Sequence, residues 1–190
     1  MAALNRFYWP TKYKSRAEVL SLGIKCVFIA HQQRDKIAAK KIADYLIGAG
    51  VDVYFDEYDT ELRGHHQSKN PKEVTNSILK GINNSSDMLV IVSPNTMTST
   101  WVPFEIGFGY DKTSLSALCL KGIPKGKLPE YLRTVPIIRD VYDFNNRIVS
   151  FTGTTSEQLM KGGVVRDHSY SYHPLNDVMD SFNLDTYENG

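Results

Sequence analysis

Between Lys25 and Val149 the chain alternates short apolar runs with stretches of helical periodicity, and this alternation limits the fold more than any other feature. The run Cys26-Val27-Phe28-Ile29-Ala30 is continuously apolar. A strand with one wet face would alternate, so an uninterrupted run predicts a strand covered on both faces. Met88-Leu89-Val90-Ile91-Val92 repeats the pattern, and Val51-Asp52-Val53-Tyr54-Phe55, Leu115 to Leu120 and Val135 to Ile138 predict further strands. From Asp35 to Leu46, Ala38, Ile42, Tyr45, Leu46 and Ala49 fall at helical spacing, with Gly48 and Gly50 as stop signals. Asn70-Pro71-Lys72-Glu73 has the form of a capping box, and Val74, Ile78 and Ile82 follow as its buried stripe. Ser99 or Thr100 can cap a third helix, with Pro103 in or beside the first turn, where a missing N–H costs little.

Strands alternating with helices build a parallel sheet with helices on both faces. Ligands of such sheets bind beyond the carboxyl ends of the strands, near the point where the strand order reverses. The loops that begin at Ala30, Phe55 and Ser93 are therefore where function is expected.

The flanks are less regular. Residues 1–24 read as an N-terminal extension with an aromatic cluster, Phe7-Tyr8-Trp9, and a short helix from Ser15 to Leu22. Residues 25–150 form the alternating domain, and residues 151–190 a loop-rich C-terminal extension. In that extension Leu175, Val178, Met179 and Phe182 follow the i, i+3, i+4, i+7 rule after Pro174, which predicts a terminal helix packed on the domain.

A length of 190 residues, 42% of them hydrophobic, suits one domain with a real core. Twenty-two basic residues against 21 acidic ones leave a formal charge of +1. An extended nucleic-acid surface would need a basic excess, so no nucleic-acid partner is expected, whereas a small anionic ligand needs only a few local donors. Cys26 and Cys119 lie inside apolar runs and read as buried thiols. No apolar run approaches the ~20 residues of a membrane span. Arg6, Lys12, Lys14 and Arg16 precede no apolar signal core. The expectation is a cytoplasmic protein with no membrane partner.

The constellation with chemical content is Ser99-Thr100-Trp101-Val102-Pro103-Phe104-Glu105. Trp101 and Glu105 are four apart and so share one helix face, one turn from each other. An indole beside a carboxylate suits a ligand with a planar base and a sugar: the ring stacks, and the carboxylate meets hydroxyl groups or a developing positive charge. A half-buried tryptophan packing its helix, beside a solvated glutamate, would have the same spacing. Other groups are less informative. Arg34 and Lys36 near a helix start can meet a pyrophosphate or simply face water. His65-His66 has no carboxylate or thiol spacing to complete a metal site, and Asp56, Glu57, Asp59 and Glu61 lack the glycine of a calcium loop. There is no G-x-G-x-x-G or Walker-type loop, so oxidoreductases and NTPases lack their usual phosphate cradle.

Four ordered motifs carry a family resemblance. They are Val27-Phe28-Ile29-Ala30-His31, Val53-Tyr54-Phe55-Asp56-Glu57, Ile91-Val92-Ser93-Pro94-Asn95 and Ser99-x-Trp101-Val102-x-x-Glu105. Together they resemble the Toll/interleukin-1 receptor (TIR) domains over roughly Lys25 to Val149, in the bacterial, enzyme-type and stand-alone form found in Thoeris-like anti-phage systems. The resemblance implies a flavodoxin-like three-layer α/β fold with a parallel five-stranded sheet. It further implies cleavage of the N-glycosidic bond of NAD⁺, a substrate rather than a cofactor, to nicotinamide and ADP-ribose or a cyclic isomer. Carried over by motif, the catalytic glutamate is Glu105, the stacking residue is Trp101, and the ligand-facing positions are His31, Gln32, Arg34, Asp56 and Ser99. No metal is implied. The implied partners are further TIR copies and a separate effector protein that responds to the product. Two departures stand out: Ala30 replaces a frequent serine, and Arg63-Gly64 lacks the usual preceding proline. A non-catalytic TIR assembly module and a nucleoside deoxyribosyltransferase-like enzyme are the competing readings.

Overall fold

The computed structural model describes residues 3–8, 25–56, 71–124, 126–163 and 165–182, together with Ala17, Ser21 and Gly23. The expected helix from Ser15 to Leu22 falls almost wholly outside the described residues, as do Trp9, Glu57, Asp59, Glu61, Arg63, Gly64, His65, His66 and Asn70.

Five strands, β1 (Cys26–Ala30), β2 (Asp52–Tyr54), β3 (Asp87–Val92), β4 (Ser114–Cys119) and β5 (Ile137–Ile138), pair in the order β2-β1-β3-β4-β5. Every pairing is parallel, in the register Phe28↔Tyr54, Phe28↔Met88, Val90↔Ala117 and Leu118↔Ile138. The helices are α1 (Lys36–Gly48), α2 (Pro71–Asn83), α3 (Trp101–Gly109), α4 (Val141–Thr152) and α5 (Ser156–Lys161). This is the expected three-layer α/β fold. Among the described residues no helix is long and apolar enough to cross a membrane.

Side chains of successive strand residues point to opposite faces, which divides the core in two. Val27, Ile29, Val53, Leu89, Ile91, Leu118 and Ile138 pack with Ile42 and Leu46 of α1 and Phe144 and Ile148 of α4. Cys26, Phe28, Tyr54, Met88, Val90 and Ala117 pack with Ile82 of α2 and Val102 and Ile106 of α3. Burying each large aliphatic side chain stabilises the fold by roughly 1.5–3 kcal/mol, which is why β1 and the Met88–Val92 stretch of β3 are apolar throughout. On α1 the stripe runs through Ala39, not Ala38. Both cysteines are free and buried, and burial pushes the Cys26 thiol up to about 12, so it stays protonated and unreactive.

Two glycines set how closely helices lie on the second face. A Cβ on Gly81 would sit 2.5 Å from Tyr54 Cε1 and 2.7 Å from Phe28 Cε2, and one on Gly109 would sit 2.8 Å from Met88 Sδ. The rings of Phe28 and Tyr54 are themselves stacked, with centroids 5.8 Å apart.

The N-terminal segment runs beside β2. The Arg6 N–H donates to the Val53 carbonyl at 2.7 Å and the Val53 N–H to the Leu4 carbonyl at 3.1 Å, a parallel bridge centred on Asn5. The guanidinium of Arg6 meets Asp52 at 2.7 Å, with the two side chains 3% and 13% exposed. Phe7 places its ring edge-on to Tyr54, so this part of the aromatic cluster packs on the chain's own sheet.

The C-terminal segment corrects one expectation. Residues 174–178 form consecutive turns rather than a helix. Leu175 and Met179 are buried, as the spacing requires, and the Met179 N–H donates to the Leu175 carbonyl at 2.8 Å, but this single turn does not continue as a helix. The Lys121 N–H donates to the Val178 carbonyl at 2.8 Å and the Val141 N–H to the Asp180 carbonyl at 3.1 Å. A buried polar cluster holds the same tail. The Tyr45 hydroxyl donates to Asn145 Oδ1 at 3.0 Å, accepts from the Arg166 N–H at 3.0 Å and lies 3.1 Å from His173 Nε2.

Candidate functional site

β1 connects to β2 on one side and its neighbour β3 connects to β4 on the other, so adjacent strands send the chain in opposite directions and a crevice opens at their carboxyl ends. A cleft lies there, lined by Phe28, Ile29 and His31 of β1 and its exit, Tyr54 and Asp56 of β2 and its exit, Val74, Ser77 and Ile78 of α2, and Gln33, Trp101 and Glu105. The cleft is open to solvent and holds about 620 Å³ of space between its walls.

α3 supplies the two groups with most chemistry. The Ser99 hydroxyl accepts from the Val102 N–H at 3.2 Å, satisfying one of the first-turn donors that Pro103 cannot duplicate. That fixes the helix start and sets Trp101 one turn before Glu105. The Glu105 side chain is buried, with only 8% of its surface exposed, and still reaches the cleft. The indole of Trp101 is half-buried and meets Phe104 edge-on, with centroids 6.0 Å apart.

The opposite wall comes from strand ends. His31 leaves β1 with Nδ1 3.3 Å from the Ile29 carbonyl and its ring 5.0 Å from that of Phe55. Burial pushes the Tyr54 phenol up, and a hydrogen bond with Ser77 offsets part of that shift. The loop after β1 is tied to the loop after β3 through Asp35, whose carboxylate accepts from Ser93 Oγ and, at 2.7 Å, from Asn95 Nδ2.

The structure brings His31, Asp56, Trp101 and Glu105 to one cleft. It does not bring Gln32, Arg34 or Ser99 there. Gln32 turns its Oε1 back to accept from the Arg34 N–H at 2.5 Å, capping the 3-10 turn Gln33–Asp35, and Arg34 is exposed. The Ser99 hydroxyl is taken up by the Val102 N–H at the start of α3, whose N-cap is Thr100. Sequence reasoning missed Gln33, Ser77 and Tyr54. Ser77 is one residue before Ile78 of the α2 stripe and Tyr54 is inside an expected strand, so only the face of the sheet on which they lie points to them. Among the described residues no group of three His, Cys, Asp or Glu side chains could hold a metal ion.

Solved structures of similar shape include the metazoan TIR-STING receptor from C. gigas in complex with 2′,3′-cGAMP. It is 22% identical, at a TM-score of 0.46, over 74% of this chain and 39% of its own. The TIR domains of the activated Roq1 resistosome, which directly recognises the pathogen effector XopQ, are 17% identical at a TM-score of 0.43, over 80% of this chain and 94% of their own. A diflavin flavoprotein A3 from Nostoc sp. is 11% identical at a TM-score of 0.41, over 74% of this chain and 97% of its own. The chain thus spans about two fifths of the length of the TIR-STING receptor. No curated protein matches it. The family model for the TIR domain matches residues 27–148, well over half of the sequence, and the chain belongs to the TIR domain family.

Proposed function

We propose that the cleft cleaves NAD⁺ at the bond between nicotinamide and ribose. The observation that carries this reading is the pairing of a buried carboxylate, Glu105, with the half-buried indole of Trp101 in one cleft beyond the strand ends. Nicotinamide bound to ribose is already a cationic leaving group, so its departure needs no strong general acid. It leaves an oxocarbenium-like ribose. A carboxylate held in a poorly solvated site stabilises that charge more effectively than one in water. Trp101 offers a flat face to the departing ring, and Asp56 and His31 on the opposite wall are placed to meet sugar hydroxyls. Attack by water then gives ADP-ribose and a proton. Attack by the adenine end of the same molecule gives a cyclic isomer instead.

On this reading the product is a diffusible signal, read by a separate effector protein in an anti-phage response, and contacts between TIR copies bring the enzyme into its active form. Incubation of concentrated protein with NAD⁺, followed by mass spectrometry, tests the reaction and separates the two products. Glu105→Gln keeps the shape and removes the charge, and nicotinamide release is expected to fall at least 100-fold, as for loss of a main electrostatic stabiliser. Release by the variant at the parental rate would rule Glu105 out as the catalytic group. No release by the parent under any assembly condition would leave an assembly domain.

A further inference from the structure

We propose that Asn5 is a positioning residue for the cleft, acting through the backbone of Phe55; the kinetic part of this proposal rests on the NAD⁺ reading above. The Asn5 side chain makes two hydrogen bonds to one residue: Nδ2 donates to the Phe55 carbonyl at 2.8 Å, and Oδ1 accepts from the Phe55 N–H at 3.0 Å. Phe55 lies just beyond the last residue of β2, Tyr54, where the sheet ladder no longer holds the backbone. The residues on either side of it, Tyr54 and Asp56, both line the cleft. A side-chain amide presents a donor and an acceptor side by side, as a peptide group does, so Asn5 continues the strand pairing by one residue. The clamp is itself anchored: Asn5 Oδ1 also accepts from the Phe7 N–H at 3.1 Å, and the adjacent Arg6 is tied to Asp52 and Val53. The cleft wall that carries Asp56 is thus set by a residue fifty positions away in sequence.

The consequence is specific to substrate capture. Loosening Phe55 lets Tyr54 and Asp56 spread among positions that no longer fit the ligand together, while Trp101 and Glu105 on α3 stay in place. The test compares the parent with Asn5→Ala and Asn5→Asp, using NAD⁺ as the substrate and amide hydrogen exchange read at Phe55 by NMR. In Asn5→Ala, KM is expected to rise about tenfold with kcat within about twofold. The Phe55 amide, deprived of its acceptor, is expected to exchange at least tenfold faster while amides of β3 keep the parental rate. Asn5→Asp keeps an acceptor for the Phe55 N–H but turns a carboxylate oxygen toward the Phe55 carbonyl. The expected result is a raised KM with near-parental exchange at Phe55, and this variant decides the matter should Asn5→Ala fail to fold. A general structural role would lower kcat through a smaller active fraction and leave KM alone. Parental KM in both variants, or unchanged Phe55 exchange in Asn5→Ala, overturns the proposal. Were the parent to release no nicotinamide, the NAD⁺ reading would fall by itself, and the Phe55 exchange comparison would still judge the clamp.

Discussion

Gly81 faces Tyr54 so closely that a Cβ on the glycine would lie 2.5 Å from the ring. Neither side can yield cheaply, because Tyr54 is stacked on Phe28 and both rings are buried. Gly81→Ala gains roughly 1 kcal/mol of helix propensity. It must also push the ring pair or the whole of α2 aside, an overpacking that costs typically about 1–3 kcal/mol. The net expectation is a loss of stability of up to about 2 kcal/mol in chemical denaturation. Because Tyr54 lines the cleft, ligand binding should weaken in the same variant. A more stable Gly81→Ala protein would show that the helix has room to shift.

Trp101 tests the stacking half of the site. On the proposed reaction, Trp101→Ala should lower kcat/KM for NAD⁺ by about 10- to 100-fold, the range for loss of one stacked base. Trp101→Phe keeps a ring face and should recover most of that. Equal loss in both variants would mean that the indole is needed for packing rather than for its face.

The ion pair between Arg6 and Asp52 should be worth most when broken from one side. Both side chains are largely out of water, so Arg6→Met strands a carboxylate and should destabilise the fold by about 3 kcal/mol. Combining it with Asp52→Asn removes the stranded charge and should recover a large part of the loss. Urea denaturation of the two single variants and the double variant closes the cycle, and strict additivity would show that the pair does not act as one unit.

His173 should make stability depend on pH. It is 4% exposed, and burial pulls its pKa below the usual 6.5. Its Nδ1 accepts from the Leu175 N–H at 3.1 Å, so a proton there has no acceptor to meet. The unfolded chain therefore takes up this proton more readily than the folded one. The associated stability is fully present above about pH 6.5 and is lost as the pH falls below it. Asp167 and Asp177 are held below the usual 3.8 by hydrogen bonds from Ser169 and Lys41, and their stabilisation is lost only as the pH falls below about 4. Thermal melts between pH 7 and 5 should show a falling Tm that flattens in His173→Asn. An unchanged slope would assign the effect to another group.

Much of the architecture is legible in the sequence where one physical requirement dominates. β1 and the Met88–Val92 stretch of β3 are buried on both faces and carry no polar side chain, and α2 announces itself through Pro71 and the stripe Val74, Ile78 and Ile82. α4 carries its signals at both ends. Asp140 caps it by accepting from the Asp143 N–H at 2.8 Å, Gly153 ends it with φ 68°, and Val141, Phe144, Ile148 and Phe151 form its buried stripe. α5 likewise opens on the capping box of Thr155 and Gln158. The tail around Leu175 shows the converse. Its apolar spacing matches its burial, but periodicity reports which side chains are inside and not where the carbonyls of Val178 and Asp180 find their donors. The cleft divides in the same way. Trp101 and Glu105 share a face by helix geometry alone. Whether Gln32 or Gln33 reaches the cleft depends on a local cap, which neighbouring identical residues cannot reveal.

The pairing of residues 4–6 with β2 has a consequence for how copies of this protein can come together. An outermost strand normally offers a row of open amide and carbonyl groups to any chain that drifts past. Here the molecule's own leading residues already occupy that row, tethered by Arg6 to Asp52. A strand from another copy can therefore pair with β2 itself only after residues 4–6 have peeled away.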